Sequence, residues 1–190
     1  MINHFSSTCI HLLQAVTVVQ GCKEPKEKTY LILGGNVGDR LDYLRRGVEC
    51  LRREAGKVTA MSAVYESEPW GFDHACWFLN QVVAVDTELD ALALLKCIQQ
   101  IEQTLGRVRT HGGYQARTLD IDILLYGNRI INTPELVTPH PRMAERMFVL
   151  QPMTELAPDL EHPVLHHSMA YLKEHCRDTM QVSVFFNDFA

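Results

Sequence analysis

The eleven residues Arg117-Thr118-Leu119-Asp120-Ile121-Asp122-Ile123-Leu124-Leu125-Tyr126-Gly127 constrain this chain more than any other stretch. They read as a strand, where side chains alternate with a period of two, so Asp120 and Asp122 share one face. Leu119, Ile121 and Ile123 occupy the other, a core face. Two strand rises put the two aspartate Cα atoms about 6.6 Å apart. At about 5 Å and an effective dielectric near 20, two such charges repel by roughly 3 kcal/mol. A rigid backbone that holds two anions this close calls for a cation. Mg²⁺ takes hard carboxylate oxygens and keeps room for phosphate oxygens. The other reading is a solvated face, or acids paired with arginine. The doublet alone leaves both open.

At 190 residues, one domain plus extra pieces is the natural expectation. An apolar content of 46% is ample for a core. No apolar run is long enough to span a membrane as a helix. A net charge of −5 argues against a nucleic-acid partner. The charge is uneven, however. From Gly106 to Phe148 six arginines (107, 109, 117, 129, 142 and 146) face four acids (120, 122, 135 and 145). That all six cations are arginine suits bidentate phosphate binding, although ordinary surface charge gives the same count. The six cysteines form no C-x-x-C pair and match no zinc spacing, so a reduced, cytoplasmic chain is expected.

Residues 1–28 look unlike the rest and read as a loosely ordered N-terminal extension ending in a charged linker. A single domain is expected over 29–190. Tyr30-Leu31-Ile32-Leu33 is a short strand running into Gly34-Gly35-Asn36. This turn matches neither glycine-rich phosphate motif, so its glycines serve positive φ or close packing. Asp39 can cap a helix with a Leu41, Leu44, Val48, Leu51 stripe. A strand is expected over Val58–Tyr65, then a loop with large aromatics, then a strand from Phe78 to Val85. Phe78 and Asn80 share a face of that strand. They suit either a flat heterocycle or an aromatic core position beside a surface amide. Asp90 can cap a helix over Ala91–Leu105 with Leu92, Leu95, Ile98, Ile101 and Leu105 buried and Gln99 and Glu102 on a polar face. The loop Arg107–Ala116, rich in arginine and glycine, feeds directly into the Asp120/Asp122 strand. Gly127-Asn128 predicts a hairpin returning through Arg129-Ile130-Ile131. A helix is expected from His166 to His175, and a last strand over Gln181–Phe186.

Taken in this order, the residues resemble a known family. The match is carried by L-I-L-G-G-N at 31–36, F-L-N at 78–80, Q-Q-I-E at 99–102 and G-R-V-R at 106–109. Its most specific parts are R-T-L-D-I-D-I-L-L-Y-G at 117–127 and P-H-P-R-M-A-E-R-M-F-V-L at 139–150. The chain resembles the 6-hydroxymethyl-7,8-dihydropterin pyrophosphokinases over roughly residues 29–160. The resemblance implies an α+β fold, a ferredoxin-like antiparallel sheet with helices on both faces in three layers. It implies transfer of diphosphate from ATP to the pterin hydroxymethyl group in folate biosynthesis, with AMP released and two Mg²⁺ bound by Asp120 and Asp122. Arg107 and Arg117 would hold the phosphates beside them as catalytic residues. Gln99, Glu102, Arg109, Tyr114, Ile123, His140 and Arg146 would line the ATP site. Phe78 and Phe148 would sandwich the pterin, Asn80 would bond its amide edge, and Ser67, Glu68 and Trp70 would complete the pocket. Gly113, Glu135, Val137, Pro141 and Glu68 depart from the family pattern and bear on nucleotide affinity more than on chemistry. A catalytically inactive pterin- or nucleotide-binding module of the same fold is the alternative. A monomer is expected, since no long apolar stripe is left unassigned.

Overall fold

The computed structural model describes residues 26–69, 76–107 and 117–186. Strand β1, Glu27–Gly35, begins two residues before the expected domain start and buries Tyr30, Leu31, Ile32 and Leu33 in an unbroken run. Such a run marks a central strand covered on both faces. Helix α1, Arg40–Glu54, starts where the Asp39 carboxylate accepts the Asp42 amide at 3.1 Å. Strands β2, Lys57–Met61, and β3, Val64–Ser67, follow. The single strand expected over Val58–Tyr65 is therefore broken at Ser62–Ala63, where the Ser62 hydroxyl accepts the Val82 amide at 3.0 Å. Strand β4 is Phe78–Thr87.

Helix α2, Ala91–Thr104, is capped by Asp90, which accepts the Ala93 amide at 2.8 Å. Its buried line runs Leu94, Ile98, Ile101 and Leu105, in steps of four, three and four. Leu92, expected in the stripe, lies well off that line at about 100° per residue and is 44% exposed. Strand β5 is Asp120–Tyr126, and short strands β6, Ile131–Asn132, and β7, Val137–Thr138, pair with each other. The turn at Gly127 forms, with the Arg129 amide bonded to the Tyr126 carbonyl at 3.1 Å. The returning chain does not pair with β5 as a hairpin would. A 3₁₀ turn at Met143–Glu145 leads into helix α3, Met147–Leu156, so the apolar segments around Phe148 and Met153 are one helix. Helix α4, Met169–Glu174, is shorter than the expected His166–His175 because Ser168 caps it, accepting the Tyr171 amide at 3.2 Å. Strand β8, Val182–Phe186, closes the described chain.

The main sheet has the order β5-β1-β4-β3-β8, antiparallel throughout, with β2 also paired to β4. Its central β-α-β-β-α-β unit is the ferredoxin-like arrangement the sequence resemblance implied. Leu44, Val48 and Leu51 of α1 and Leu94, Ile98 and Ile101 of α2 cover one sheet face. Val149, Leu150 and Met153 of α3 and Met169 and Leu172 of α4 cover the other. The layers are helix, sheet, helix. Among the described residues no helix is long and apolar enough to cross a membrane, and Cys50, Cys97 and Cys176 are free thiols.

Candidate active site

The site is built where β1 ends. Gly35 lies against the chain entering β5: a methyl group there would stand 2.2 Å from the Thr118 carbonyl oxygen. Beside it, Asn36 clamps Arg117 from both sides. The Asn36 amide donates to the Arg117 carbonyl at 3.0 Å, and the Arg117 amide donates to Asn36 Oδ1 at 2.9 Å. The glycine pair thus serves close packing, and what it packs is the approach to Asp120.

Across the sheet, Gly34 pairs with Asp120 on one side and with Asn80 on the other, and Asn80 pairs with Tyr65. Directly opposed residues of an antiparallel ladder share a face. Asp120, Gly34, Asn80 and Tyr65 therefore form one row, on the face covered further along by α3. Gly34 leaves this row open between the carboxylate and the amide, and a methyl group there would press to 2.9 Å from Asn80 Oδ1. Asn80 is held in turn, its amide nitrogen donating to the buried Ser67 hydroxyl at 2.9 Å.

Around Asp120 the charges are concentrated. Arg107 Nη1 binds both Glu102 Oε1 and Asp120 Oδ1, and Arg117 Nη1 binds Asp120 Oδ2. Glu102 also accepts the Ile121 amide at 2.8 Å and is 2% exposed. It stands apart from Gln99, which is exposed on the same helix, so the shared polar face expected for the two does not exist. Three carboxylates, from Glu102, Asp120 and Asp122, meet two guanidiniums. Burial first, then the charges of Asp120 and Glu102, push the Asp122 carboxyl up to about 7, against the opposing pull of Arg107 and Arg117. The cluster holds more negative charge than its arginines neutralise. The sequence left a metal site and an arginine-paired face as alternatives for the doublet. Asp120 carries the arginine pairs, and the surplus charge is what a cation would meet.

A second group of residues reaches the site through a bulge. The register of β5 against β1 shifts between Tyr30 and Leu31, leaving Leu124 and Leu125 both in the core under α3. One extra residue in a strand displaces its ladder groups. The displaced Leu124 carbonyl accepts the His140 amide at 2.8 Å, which ties the Thr138–Arg142 segment to β5. Burial, then the charges of Arg146 and Arg142, pull the His140 imidazole down to about 4. Its Nδ1 accepts the Arg142 amide at 3.2 Å. A neutral ring accepting at Nδ1 carries its proton on Nε2 and offers one donor there. Arg146 is buried and lies 5.6 Å from the Phe148 ring centroid, while Arg117 lies 5.9 Å from that of Phe78. Each aromatic expected to stack thus has a guanidinium beside it.

The structure therefore brings together Arg107, Arg117, Asp120, Asp122 and Glu102, and sets Ser67, Phe78 and Asn80 beside them. Ile123 is different: its side chain is buried in the core under α1 and α2, on the face opposite Asp120 and Asp122. Glu68 follows β3 and donates its amide to the Gln181 carbonyl at 3.4 Å. Arg109, Tyr114, Gly113 and Trp70, with the rest of the loop joining Arg107 to Arg117, lie outside the described residues. Sequence reading missed Gly34, Gly35 and Asn36 as parts of the site, and missed that Glu102 is buried beneath it. The one available signal was the G-G-N triplet directly after an apolar strand.

An antiparallel α+β sheet that carries a carboxylate pair beneath converging arginines suits the phosphotransferase class of enzyme. The sequence model of the 7,8-dihydro-6-hydroxymethylpterin-pyrophosphokinase family matches residues 30–158, and the chain belongs to that family. Three relatives bear the name 2-amino-4-hydroxy-6-hydroxymethyldihydropteridine pyrophosphokinase. The protein of Bacillus subtilis is 44% identical over 133 residues, covering 70% of this chain and 79% of its own. That of Methylorubrum extorquens is 45% identical over 134 residues (70% and 84%), and that of Aquifex aeolicus 38% over 144 (76% and 89%). Among solved structures, an HPPK-DHPS in complex with substrates aligns with a TM-score of 0.64 at 14% identity, over 79% of this chain and 43% of that one. The wild-type Plasmodium falciparum HPPK-DHPS with pteroate gives 0.66 at 15%, over 78% and 44%. This chain spans under half of those solved chains, and the likeness to them is one of fold.

Proposed function

We propose that this protein transfers the terminal diphosphate of ATP to the hydroxymethyl oxygen of 6-hydroxymethyl-7,8-dihydropterin, releasing AMP, as a step of folate biosynthesis. One observation carries the reading. Asp120, bound by Arg107 and Arg117, stands in the same sheet row as the open Gly34 position and the Asn80 amide, with Asp122 in the next row of the same face. An anion-handling centre thus adjoins a polar edge suited to a flat heterocycle, about two strand spacings or 10 Å away.

The donor set fits Mg²⁺. Two carboxylates from one strand face leave most of an octahedral shell to water and phosphate oxygens, as this ion prefers. Among the described residues no third carboxylate, histidine or cysteine completes an all-protein cage. Asp120 and Asp122 would hold the metal, which when bound supplies charge neutralisation to the phosphates and lowers the proton affinity of the alcohol. The protein's own part is placement. The alcohol oxygen forms its bond to the β-phosphorus as the bond from that phosphorus to the α,β-bridging oxygen breaks; AMP leaves with the electron pair, and the hydroxyl proton is released. Arg107 and Arg117 exchange their contacts with Asp120 for the phosphate oxygens, where fixed guanidiniums meet the charge of the transferring group. Glu102 keeps Arg107 in place while bracing the Ile121 amide. His140, neutral and with its proton on Nε2, donates without adding charge. Phe78 and Phe148 stack on the ring, and Asn80 pairs with its amide edge. Such positioning and charge compensation are most of what phosphoryl-type transfer asks of a protein.

Incubation with ATP, Mg²⁺ and the hydroxymethyl-dihydropterin should yield AMP and a pterin diphosphate in equal amounts. ADP as the nucleotide product would redirect the assignment to a simple kinase. No turnover with intact pterin and ATP binding would favour the inactive module, against which the complete set Arg107, Arg117, Asp120 and Asp122 speaks.

A further inference from the structure

The two aromatic walls proposed for the pterin stand on different elements. Phe78 belongs to β4, and Phe148 to α3. The gap between them therefore depends on how α3 is fixed to the sheet. Its apolar residues Val149, Leu150 and Met153 pack in the core beneath it, but dispersion contacts are non-directional and do not by themselves fix a helix along its axis. The helix is also weakly specified from within. Its N-cap residue, Arg146, makes no side-chain cap; the Met147 amide is taken by the Asp178 carboxylate at 2.8 Å, a tie to the chain beyond α4 and not to the sheet, and Pro152 supplies no N–H to the turn containing Phe148.

Directional ties come from two side chains on the Phe148 face. Gln151 and Glu155 follow Phe148 at three and seven residues, positions that line up along one side of a helix. Glu155 reaches the sheet with both oxygens. They accept the Ala63 amide at 3.0 and 3.1 Å, and Oε2 also accepts the Tyr65 hydroxyl at 2.9 Å. Gln151 stands beside the same hydroxyl. Tyr65 is 5% exposed and sits directly opposite Asn80 in the ladder. The Tyr65 hydroxyl is thus the point where α3 and the Asp120–Gly34–Asn80 row are joined.

We infer that Tyr65, with Glu155 and Gln151, is a positioning element that sets the spacing of the pterin sandwich. It acts through Phe148 and Asn80 and touches no substrate itself. Burial, then its bond to Glu155, raises the phenol above its ordinary range, so the hydroxyl stays a donor throughout the working pH range.

The inference rests on the proposed function, and the test separates the two. Affinities for the hydroxymethyl-dihydropterin and for ATP are measured on the full chain by equilibrium titration, for wild type, Tyr65→Phe and Glu155→Gln, with a thermal melt of each. Loss of the directional bond should weaken pterin binding about tenfold in Tyr65→Phe. ATP affinity should stay within about twofold, the spread expected of a site not coupled to the change. Glu155→Gln should shift the same way, and it carries the test if Tyr65→Phe does not fold. Equal weakening toward both ligands, or unchanged pterin affinity in variants that melt lower, would reduce Tyr65 to a structural residue and overturn the inference. A wild-type chain that binds ATP but not the pterin would instead sink the functional reading before any variant is compared.

Discussion

Gly35→Ala tests the architecture of the site at its most crowded point. Gly35 is not among the glycines with positive φ, so the backbone itself accepts alanine and any cost is steric. The new Cβ would stand 2.2 Å from the Thr118 carbonyl oxygen, 3.1 Å from its carbon and 3.4 Å from the Arg117 oxygen. These are backbone atoms and cannot swing aside as a side-chain end would. A carbon and a carbonyl oxygen come to rest at about 3.3 Å or more, so the two chains must part by about 1 Å. That separation stretches the Asn36 amide bond to the Arg117 carbonyl from 3.0 Å past bonding range and strains its 2.9 Å counterpart. Losing two such bonds, with partly buried groups left unsatisfied, costs about 2–4 kcal/mol. A domain of ordinary stability survives this and melts roughly 10 °C lower. Turnover should fall further than stability, because the displaced segment carries Arg117 and leads into Asp120. A misplacement of about 1 Å costs on the order of 100-fold. Urea unfolding gives the first quantity, and AMP release at saturating ATP and pterin gives the second. Gly106→Ala is the contrasting control: nothing lies within 4 Å of its Cβ position but its φ is +86°, so it should lose only the strain, about 1–2 kcal/mol. A Gly35→Ala protein within about 0.5 kcal/mol of wild type and with full turnover would refute the clamp.

The remaining predictions address the chemistry and its surroundings. Asp122→Ala should abolish turnover while circular dichroism shows the fold retained, since it removes a proposed metal ligand; full activity would contradict the metal reading. Phe148→Ala should weaken pterin binding far more than ATP binding in parallel titrations, and an equal effect on both would argue against the sandwich. His140 gives a pH test of stability. Its folded-state value near 4 lies below the ordinary 6.5, so the unfolded chain binds the proton first and stability falls as pH drops from about 6.5 toward 4. The full shift corresponds to about 3.4 kcal/mol at 1.36 kcal/mol per unit, and halving it for the ring's partial exposure leaves roughly 1.5 kcal/mol. Between pH 7 and pH 4.5 wild type should lose roughly 1.5 kcal/mol more than His140→Gln in denaturation, a difference from which Asp122 and His162, which titrate in the same window in both proteins, cancel.

The parts of this protein legible in its sequence are those whose signals are local. The caps Asp39 and Asp90 lie within three residues of the amides they accept, and both helices start where expected. The alternation of Asp120 and Asp122 against Leu119, Ile121 and Ile123 gave the two faces of β5 directly, since period two admits only one division. The errors occur where a distant segment decides. The hairpin after Gly127 failed because β7 offers Ile131 a partner in Thr138 and the His140 amide takes the Leu124 carbonyl, a choice made beyond the turn itself. The stripe on α2 was misread at Leu92 because its phase is set by where the helix meets β5, and Leu94, two residues further on, points there.

The same distinction separates the two kinds of site residue. Asp120, Asp122 and the arginines declare themselves by type, since charged groups gathered in an apolar context demand a reason. Asn36, Tyr65 and Glu155 do not, because each is ordinary where it stands and gains meaning only from a partner 81, 90 or 92 residues away. Glu102 is the instructive intermediate. Its helical position three residues from Gln99 predicted a shared polar face, but its carboxylate is turned under β5 to meet the Ile121 amide and Arg107. A buried carboxylate is tolerated only when its oxygens are satisfied, and here a backbone amide and a guanidinium do so together. Glu102 therefore couples the end of α2 to the strand that carries both aspartates. In this fold, the residues that hold the candidate site in place are encoded over long separations, while those proposed to perform its chemistry can be read from a window of a few residues.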